Sequence, residues 1–298
     1  MKLLNSKISL LIASIMAAML PARAECSDIA ALLNEASRER AYRQADNTEL
    51  RRAEELFAAT LKGESPATLK EKWRALNFEL EEIAAEKEKL ILLKEREGHR
   101  TGRGFYLVRQ GGIPLMLQMP HSFKDRHTRR IGLDMALTGR CRVAAWNTTP
   151  RWYDENGVRI DADLAHHPRS YFTALTRAFA QAVPGGTVAQ LHGFEARKRK
   201  SASGATADVI VSSGRRTVTS RVRRAAECLA VNTGARILIY PSDVRELGGT
   251  SNSIGMLLGN LGNSGFIHLE LGASFRDELK ESRALRATMN RCLEEAAR

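Results

Sequence analysis

The spacing of apolar positions changes character near residue 102. Upstream, residues 27–97 are rich in Ala, Leu, Glu, Lys and Arg, and the one clear break is Gly63-Glu64-Ser65-Pro66. Trp73, Leu76, Leu80, Ile83 and Leu90 recur at steps of three, four or seven, which lays an apolar stripe along one helix face. This pattern predicts two long antiparallel helices, an α-helical hairpin over 25–100 that docks on the rest of the chain. From Gly102 onward, short apolar runs alternate with amphipathic stretches. Strands are predicted at 104–109, 114–119, 142–146, 187–192, 208–212, 236–240 and 265–271. Helices are predicted at 130–138, 169–182, 216–231 and 276–297. Strands interleaved with helices imply a parallel or mixed sheet covered on both faces, an α/β domain over 101–298.

Several of these strands end in residues that can do chemistry. The run 114–119 closes at Pro120 and is followed within eight residues by His121, Asp125, His127 and Thr128. The run 187–191 leads into His192 and then Gly193, where a backbone without Cβ can approach a ligand. In α/β sheets the crevice beyond the carboxyl ends of strands is where ligands bind. Two imidazoles and one carboxylate, His121, Asp125 and His192, form the three-protein-ligand set of a catalytic zinc, one per chain, with a fourth position open. The strand containing His268 and Glu270 places both on one face, because side chains alternate along a strand. A carboxylate within an apolar strand needs a partner or a task. Glu270 is the candidate general base, and a rim ion pair with Arg276 is the alternative. Asn147 and Arg151 are placed to clamp a substrate carboxylate, since Arg favours planar bidentate partners. Asp163 and His166 follow as candidate wall residues of the same pocket. The loop 246–252 combines glycines with small polar groups, which would bind a substrate backbone or cap the following helix at Asn252. The basic loop 198–205 follows the His192 motif and is expected near the site.

The first residues bear on compartment. Lys2 and Lys7, an apolar stretch over 8–20 and Ala22-Arg23-Ala24 have the form of a secretory signal peptide over 1–24, with an apolar part too short to span a membrane. The whole chain carries +12, and loss of those 24 residues would leave +9. An exported basic protein meets anionic polymers such as cell-wall material, whereas the export signal and 6% aromatic residues argue against nucleic acid as a partner. No basic amphipathic helix with aromatic anchors suggests a stable membrane anchor. Cys26, Cys141, Cys228 and Cys292 permit two disulfides in an oxidising compartment, and Cys26 with Cys292 would tie the N-terminal segment to the last helix.

The motifs PHSFKDRHT, NTTPR, LHGF and IHLELG, in this order, resemble the N-formylglutamate amidohydrolase and poly-gamma-glutamate hydrolase group, itself similar to zinc carboxypeptidases. The resemblance spans residues 102–298. It implies a three-layer α/β/α sheet of the phosphorylase/hydrolase type, one zinc, and hydrolysis of an amide beside a carboxylate-bearing residue in a peptide-like or anionic substrate. By this analogy His121, Asp125 and His192 are ligands, Glu270 is the base, Arg151 holds the substrate carboxylate, and Arg276 is a candidate for stabilising the oxyanion. The chain departs from the pattern at Asp125, four residues after the first His, where the relatives mostly use Glu at a different spacing. His127 is the alternative ligand. Two other readings stand beside this one. The first is a non-catalytic binding module on a hydrolase fold. The second is a lysostaphin-like peptidoglycan endopeptidase, a small β fold that needs a later His-x-His absent from this chain.

Overall fold

The computed structural model describes residues 22–39, 41–85 and 88–298. The export-signal segment therefore lies, up to residue 21, outside the described residues. No described helix is long and apolar enough to cross a membrane.

Among the described residues three helices come first: α1 (Ala22–Ala36), α2 (Asn47–Leu61) and α3 (Pro66–Arg74). Asp46 caps α2 by accepting from the N–H groups of Thr48 and Glu49, and Pro66 opens α3 where its missing N–H costs nothing. The expected second long helix ends at Arg74. Residues beyond it form a β-hairpin, β1 (Phe78–Ala85) with β2 (Glu88–Glu95), after a turn in which Asn77 has φ 61°. The physical reason is visible in the pairing. Phe78 and Leu80 point into the core while Glu79 and Glu81 face out, and Lys94 across the hairpin pairs with both acids. The stripe from Trp73 to Leu90 thus belongs partly to a helix and partly to two strands.

The remaining elements alternate largely as anticipated, with an outlying β-hairpin and short helices at Ala202–Thr206 and Ser253–Asn260 beyond the predicted set. They are β3 (Phe105–Arg109), β4 (Ile113–Met119), α4 (Thr128–Thr138), β5 (Cys141–Trp146), an outlying hairpin β6 (Trp152–Glu155) with β7 (Val158–Asp161), α5 (Tyr171–Ala182), β8 (Thr187–Phe194), α6 (Ala202–Thr206), β9 (Val209–Ser212), α7 (Ser220–Thr233), β10 (Ile237–Ile239), α8 (Ser253–Asn260), β11 (Phe266–Gly272), α9 (Ala273–Glu281) and α10 (Arg283–Ala296). Ser282 divides the expected last helix in two. Nine strands make one sheet in the order β1-β2-β3-β5-β4-β8-β11-β9-β10. Its centre, β5-β4-β8-β11, is parallel. Because β2 pairs with β3, the N-terminal hairpin continues the same sheet.

The result is a three-layer α/β/α arrangement. One face packs against α1, α4, α7, α9 and α10, and the other against α2, α3, α5 and α8. This mixed architecture tells against the all-β endopeptidase reading. From β4 the chain crosses through α4 to β5 on one side and later through α5 to β8 on the other. The carboxyl ends of β4 and β8 therefore flank a topological switch point, which opens a crevice.

Cys228 on α7 and Cys292 on α10 form a disulfide between two helices packed side by side. That corrects the expected Cys26–Cys292 pairing, since Cys292 is already taken. Cys141 is free and buried.

Candidate metal centre

At the switch point an open cavity of about 650 Å³ is lined by His121, Asp125, His192, His268 and Glu270 on its floor. Each arrives by a different local device. His121 sits in the turn after β4, and the N–H of Asp125 donates back to its carbonyl at 2.9 Å, so the four-residue spacing places both side chains on one side of that turn. Strand alternation directs His192 of β8 and Glu270 of β11 to one face, and the two are register partners across the sheet.

His121 Nδ1 and His192 Nδ1 face each other at 3.2 Å. Asp125 Oδ2 lies 3.5 Å from the first and 3.8 Å from the second. A tetrahedral ion with bonds of about 2.0–2.2 Å separates its ligand atoms by about 3.3–3.6 Å, so the three atoms are spaced as one ion requires. The far nitrogen of each ring is already used. His121 Nε2 contacts Asp163 Oδ1 at 2.7 Å, and His192 Nε2 contacts Gln190 Oε1 at 3.1 Å. Asp125 Oδ2 also accepts from the Gly193 N–H at 2.9 Å. Once His121 gives up the proton on Nδ1, three acceptors face one buried place, and that arrangement calls for a cation between them. The donor set fits a divalent metal.

The charges follow from these contacts. Burial pulls the His121 imidazole down, but Asp125 and Asp163 outweigh it and carry it up to about 9. Burial would raise the Asp163 carboxyl, yet His121 and Arg151 hold it down at about 2. His192 is pushed well below its ordinary value by burial and by His268 and His121, and burial takes His268 to about 3. Both are neutral at physiological pH, which leaves His192 ready to bind an ion, whereas His121 would have to give up a proton to do so. Glu270 is pushed up to about 8 by burial and by the nearby charge of Asp125. His192, His268 and Glu270 form a second cluster of possible ligands. With both His192 nitrogens engaged, that cluster lacks its third donor, and the geometry supports one ion.

The other anticipated residues divide. Arg151 lines the cavity and ion-pairs with Asp163 Oδ2 at 2.5 Å. Asp163, 2% exposed, does not face substrate. It orients His121, the carboxylate–histidine arrangement found behind metal ligands. His166 lines the mouth, with Nδ1 3.1 Å from the Ser251 carbonyl. Asn147 is outside the cavity: its Oδ1 accepts from the Ser122 N–H at 2.9 Å and its Nδ2 donates to the Thr149 carbonyl, which braces the loop after β4. Arg276 reaches the wall but donates to the Phe194 and Leu271 carbonyls and to Glu195, not to Glu270, so it ties strand ends together. A Cβ at Gly193 would meet Arg276 Nη1 at 2.5 Å, so any larger residue there would displace the buried guanidinium. His127 pairs with Asp277 at 3.0 Å, away from the other two candidates, and Asp125 stays the candidate acidic ligand. Lys124, Arg197, Lys198 and Arg199 add a cationic rim, and the loop 198–205 does reach the site. Gln118, Gln190 and Asn252 complete the floor below. Polar residues at alternate positions of otherwise apolar strands, Gln118, Gln190 and His192, His268 and Glu270, were the available sequence pattern for it.

No known family model and no curated protein sequence matches the chain. Among solved structures, similar chains include an N-formylglutamate amidohydrolase from Ralstonia eutropha JMP134 (14% identity, TM-score 0.40, covering 62% of this chain and 92% of that one). A bacteriophage poly-gamma-glutamate hydrolase is similar at 11% identity and TM-score 0.37, covering 64% of this chain and 86% of that one. A gene product from Agrobacterium tumefaciens is similar at 11% and 0.40, covering 62% and 89%. The first two are proteins of the kinds whose motifs this sequence resembles. At these scores the activities named belong to those proteins, and the chemistry of this chain has to be read from its own residues.

Proposed function

We propose that this chain is an exported, zinc-dependent hydrolase of amides in peptide-like or anionic substrates. The observation that carries the reading is the convergence of His121 Nδ1, His192 Nδ1 and Asp125 Oδ2 beside Glu270, in a cavity with a cationic rim. Mixed nitrogen and oxygen ligation favours zinc among divalent ions. When bound, such an ion polarises an amide carbonyl and brings the pKa of a water towards neutrality.

The chain's own residues supply the rest. Asp163 holds the His121 ring by its Nε2–H, which points Nδ1 into the site. Burial holds the Glu270 carboxyl near 8 in the metal-free chain; a cation bound beside it would favour its ionised form, which would take a proton from the attacking water and return it to the leaving amine. Arg151, 31% exposed at its side chain and fixed on one edge by Asp163, offers its outer edge to a substrate carboxylate. Lys124, Arg197, Lys198 and Arg199 favour anionic substrates such as γ-glutamyl or cell-wall peptides. The Cys228–Cys292 disulfide suits an exported protein.

Replacing Glu270 with Gln tests the assignment of the base. The expected result is loss of amide hydrolysis by at least 100-fold with zinc content retained. Near-normal turnover in Glu270→Gln would show that another group moves the proton.

A further inference from the structure

Beneath the cavity floor, a row of buried side chains forms an unbroken set of hydrogen bonds. At one end Thr176 Oγ1 donates to the Phe172 carbonyl at 2.7 Å. Gln118 Nε2 donates to Thr176 Oγ1 at 3.1 Å, and Gln190 Nε2 donates to Gln118 Oε1 at 2.8 Å. At the other end Asn252 Oδ1 accepts from the N–H groups of Ile254 and Gly255 as the cap of α8, at 3.0 and 3.3 Å. That turns Asn252 Nδ2 onto Gln190 Oε1, at 2.7 Å. Gln118 and Gln190 are register partners on adjacent strands, and all four side chains are at most 2% exposed.

A side-chain amide can ordinarily be turned over to exchange its donor and acceptor. Here both ends are pinned by backbone groups with fixed roles, a carbonyl at Phe172 and two N–H groups on α8. Gln190 Oε1 is therefore an acceptor, and it already takes one hydrogen from Asn252. His192 Nε2, 3.1 Å away, must be the donor. The proton then resides on Nε2, and the His192 Nδ1 lone pair is turned towards His121 and Asp125.

We propose that Gln190, held by Gln118 and Thr176 on one side and Asn252 on the other, is a positioning residue that fixes His192 as the Nε2–H tautomer and so forms the ligand set before an ion arrives. The tautomer stands on the hydrogen bonds alone, and its consequence for metal binding rests on the hydrolase reading above. The same contacts join the wall loop 247–252 to a metal ligand through Asn252. Second-sphere partners of this kind are worth about 10–100-fold in metal affinity.

The test uses the metal-free protein labelled with ¹⁵N at histidine. Long-range ¹H–¹⁵N spectra, with His192 assigned by its absence in His192→Asn, should show a protonated Nε2 and an unprotonated Nδ1. The opposite pattern overturns the proposal. A Gln190→Met variant keeps the volume and removes the acceptor, with circular dichroism and Tm confirming that it folds. It should give a mixed His192 tautomer and about 10–100-fold weaker zinc binding in competition with a chromophoric chelator. A folded Gln190→Met protein with the native tautomer and native zinc affinity also overturns the proposal. If the native protein binds no zinc, the hydrolase reading fails, while the spectra still decide the tautomer.

Discussion

Asp163 joins two residues with different duties. One oxygen holds His121 at 2.7 Å, and the other holds Arg151 at 2.5 Å. The carboxylate that aims the candidate ligand His121 thus also sets the position of the Arg151 guanidinium, and Arg151, unlike Asp163, reaches the open cavity. Arg151→Ala should therefore raise KM for substrates bearing a free carboxylate roughly tenfold or more while changing KM for blocked analogues far less, because a charge-assisted bidentate contact is lost only with the former. Steady-state kinetics on matched pairs of substrates check this. Equal effects on both would remove the carboxylate clamp from the account. Asp163 shows the limit of reading residues singly: its place after Arg151 marked it for the pocket, but its role depends on a partner 42 residues earlier in the chain.

At the scale of elements, the α/β half was legible because strand ends announced themselves. Each of the seven strands anticipated from 104 to 271 is present with small shifts of boundary, and His121, Asp125, His192 and Glu270 do meet. The N-terminal part misled for a physical reason. Residues 78–95 are built from Glu, Lys, Leu and Ala, whose intrinsic preference is helical, but pairing with β3 and burial of Leu92 and Leu93 override it. The buried amides Gln118 and Gln190 escaped notice because only strand register brings them together. A consequence follows for truncation. A protein lacking residues 22–100 would expose the edge of β3 and remove α2 and α3 from the second core, where Phe57, Leu61 and Trp73 are fully buried. Residues 101–298 expressed alone should therefore be insoluble or aggregated, since an uncovered apolar edge strand invites pairing. A soluble, monomeric fragment with native circular dichroism would show that the N-terminal elements are dispensable to the fold.

For the whole molecule, the site links stability to pH. Metal-free His121 carries its proton up to about 9, above the ordinary 6.5, so its stabilising contribution is complete below 6.5 and is lost as pH rises through 9. Glu270 retains its proton in the fold up to about 8, whereas the unfolded chain gives it up near 4.5. Ionising Glu270 inside the fold is disfavoured, and stability again falls as pH rises, here between 4.5 and 8. His192 and His268, buried and neutral, act in the opposite sense only below about 6.5. Between pH 6.5 and 9 the Tm of the chelated protein should consequently decline. An ion bound at this site would take the place of the His121 proton, so protein loaded with zinc should show a shallower decline and should release protons on loading. A Tm that rises across this window would contradict the charge assignments.

Metal content of the purified protein tests the central claim most directly. Elemental analysis of native protein prepared without chelators should find about one zinc per chain, and none in a folded His121→Ala/His192→Ala variant. No metal in the native protein, or metal retained by the variant, would contradict the account and leave the cavity as a binding site on a hydrolase-like fold.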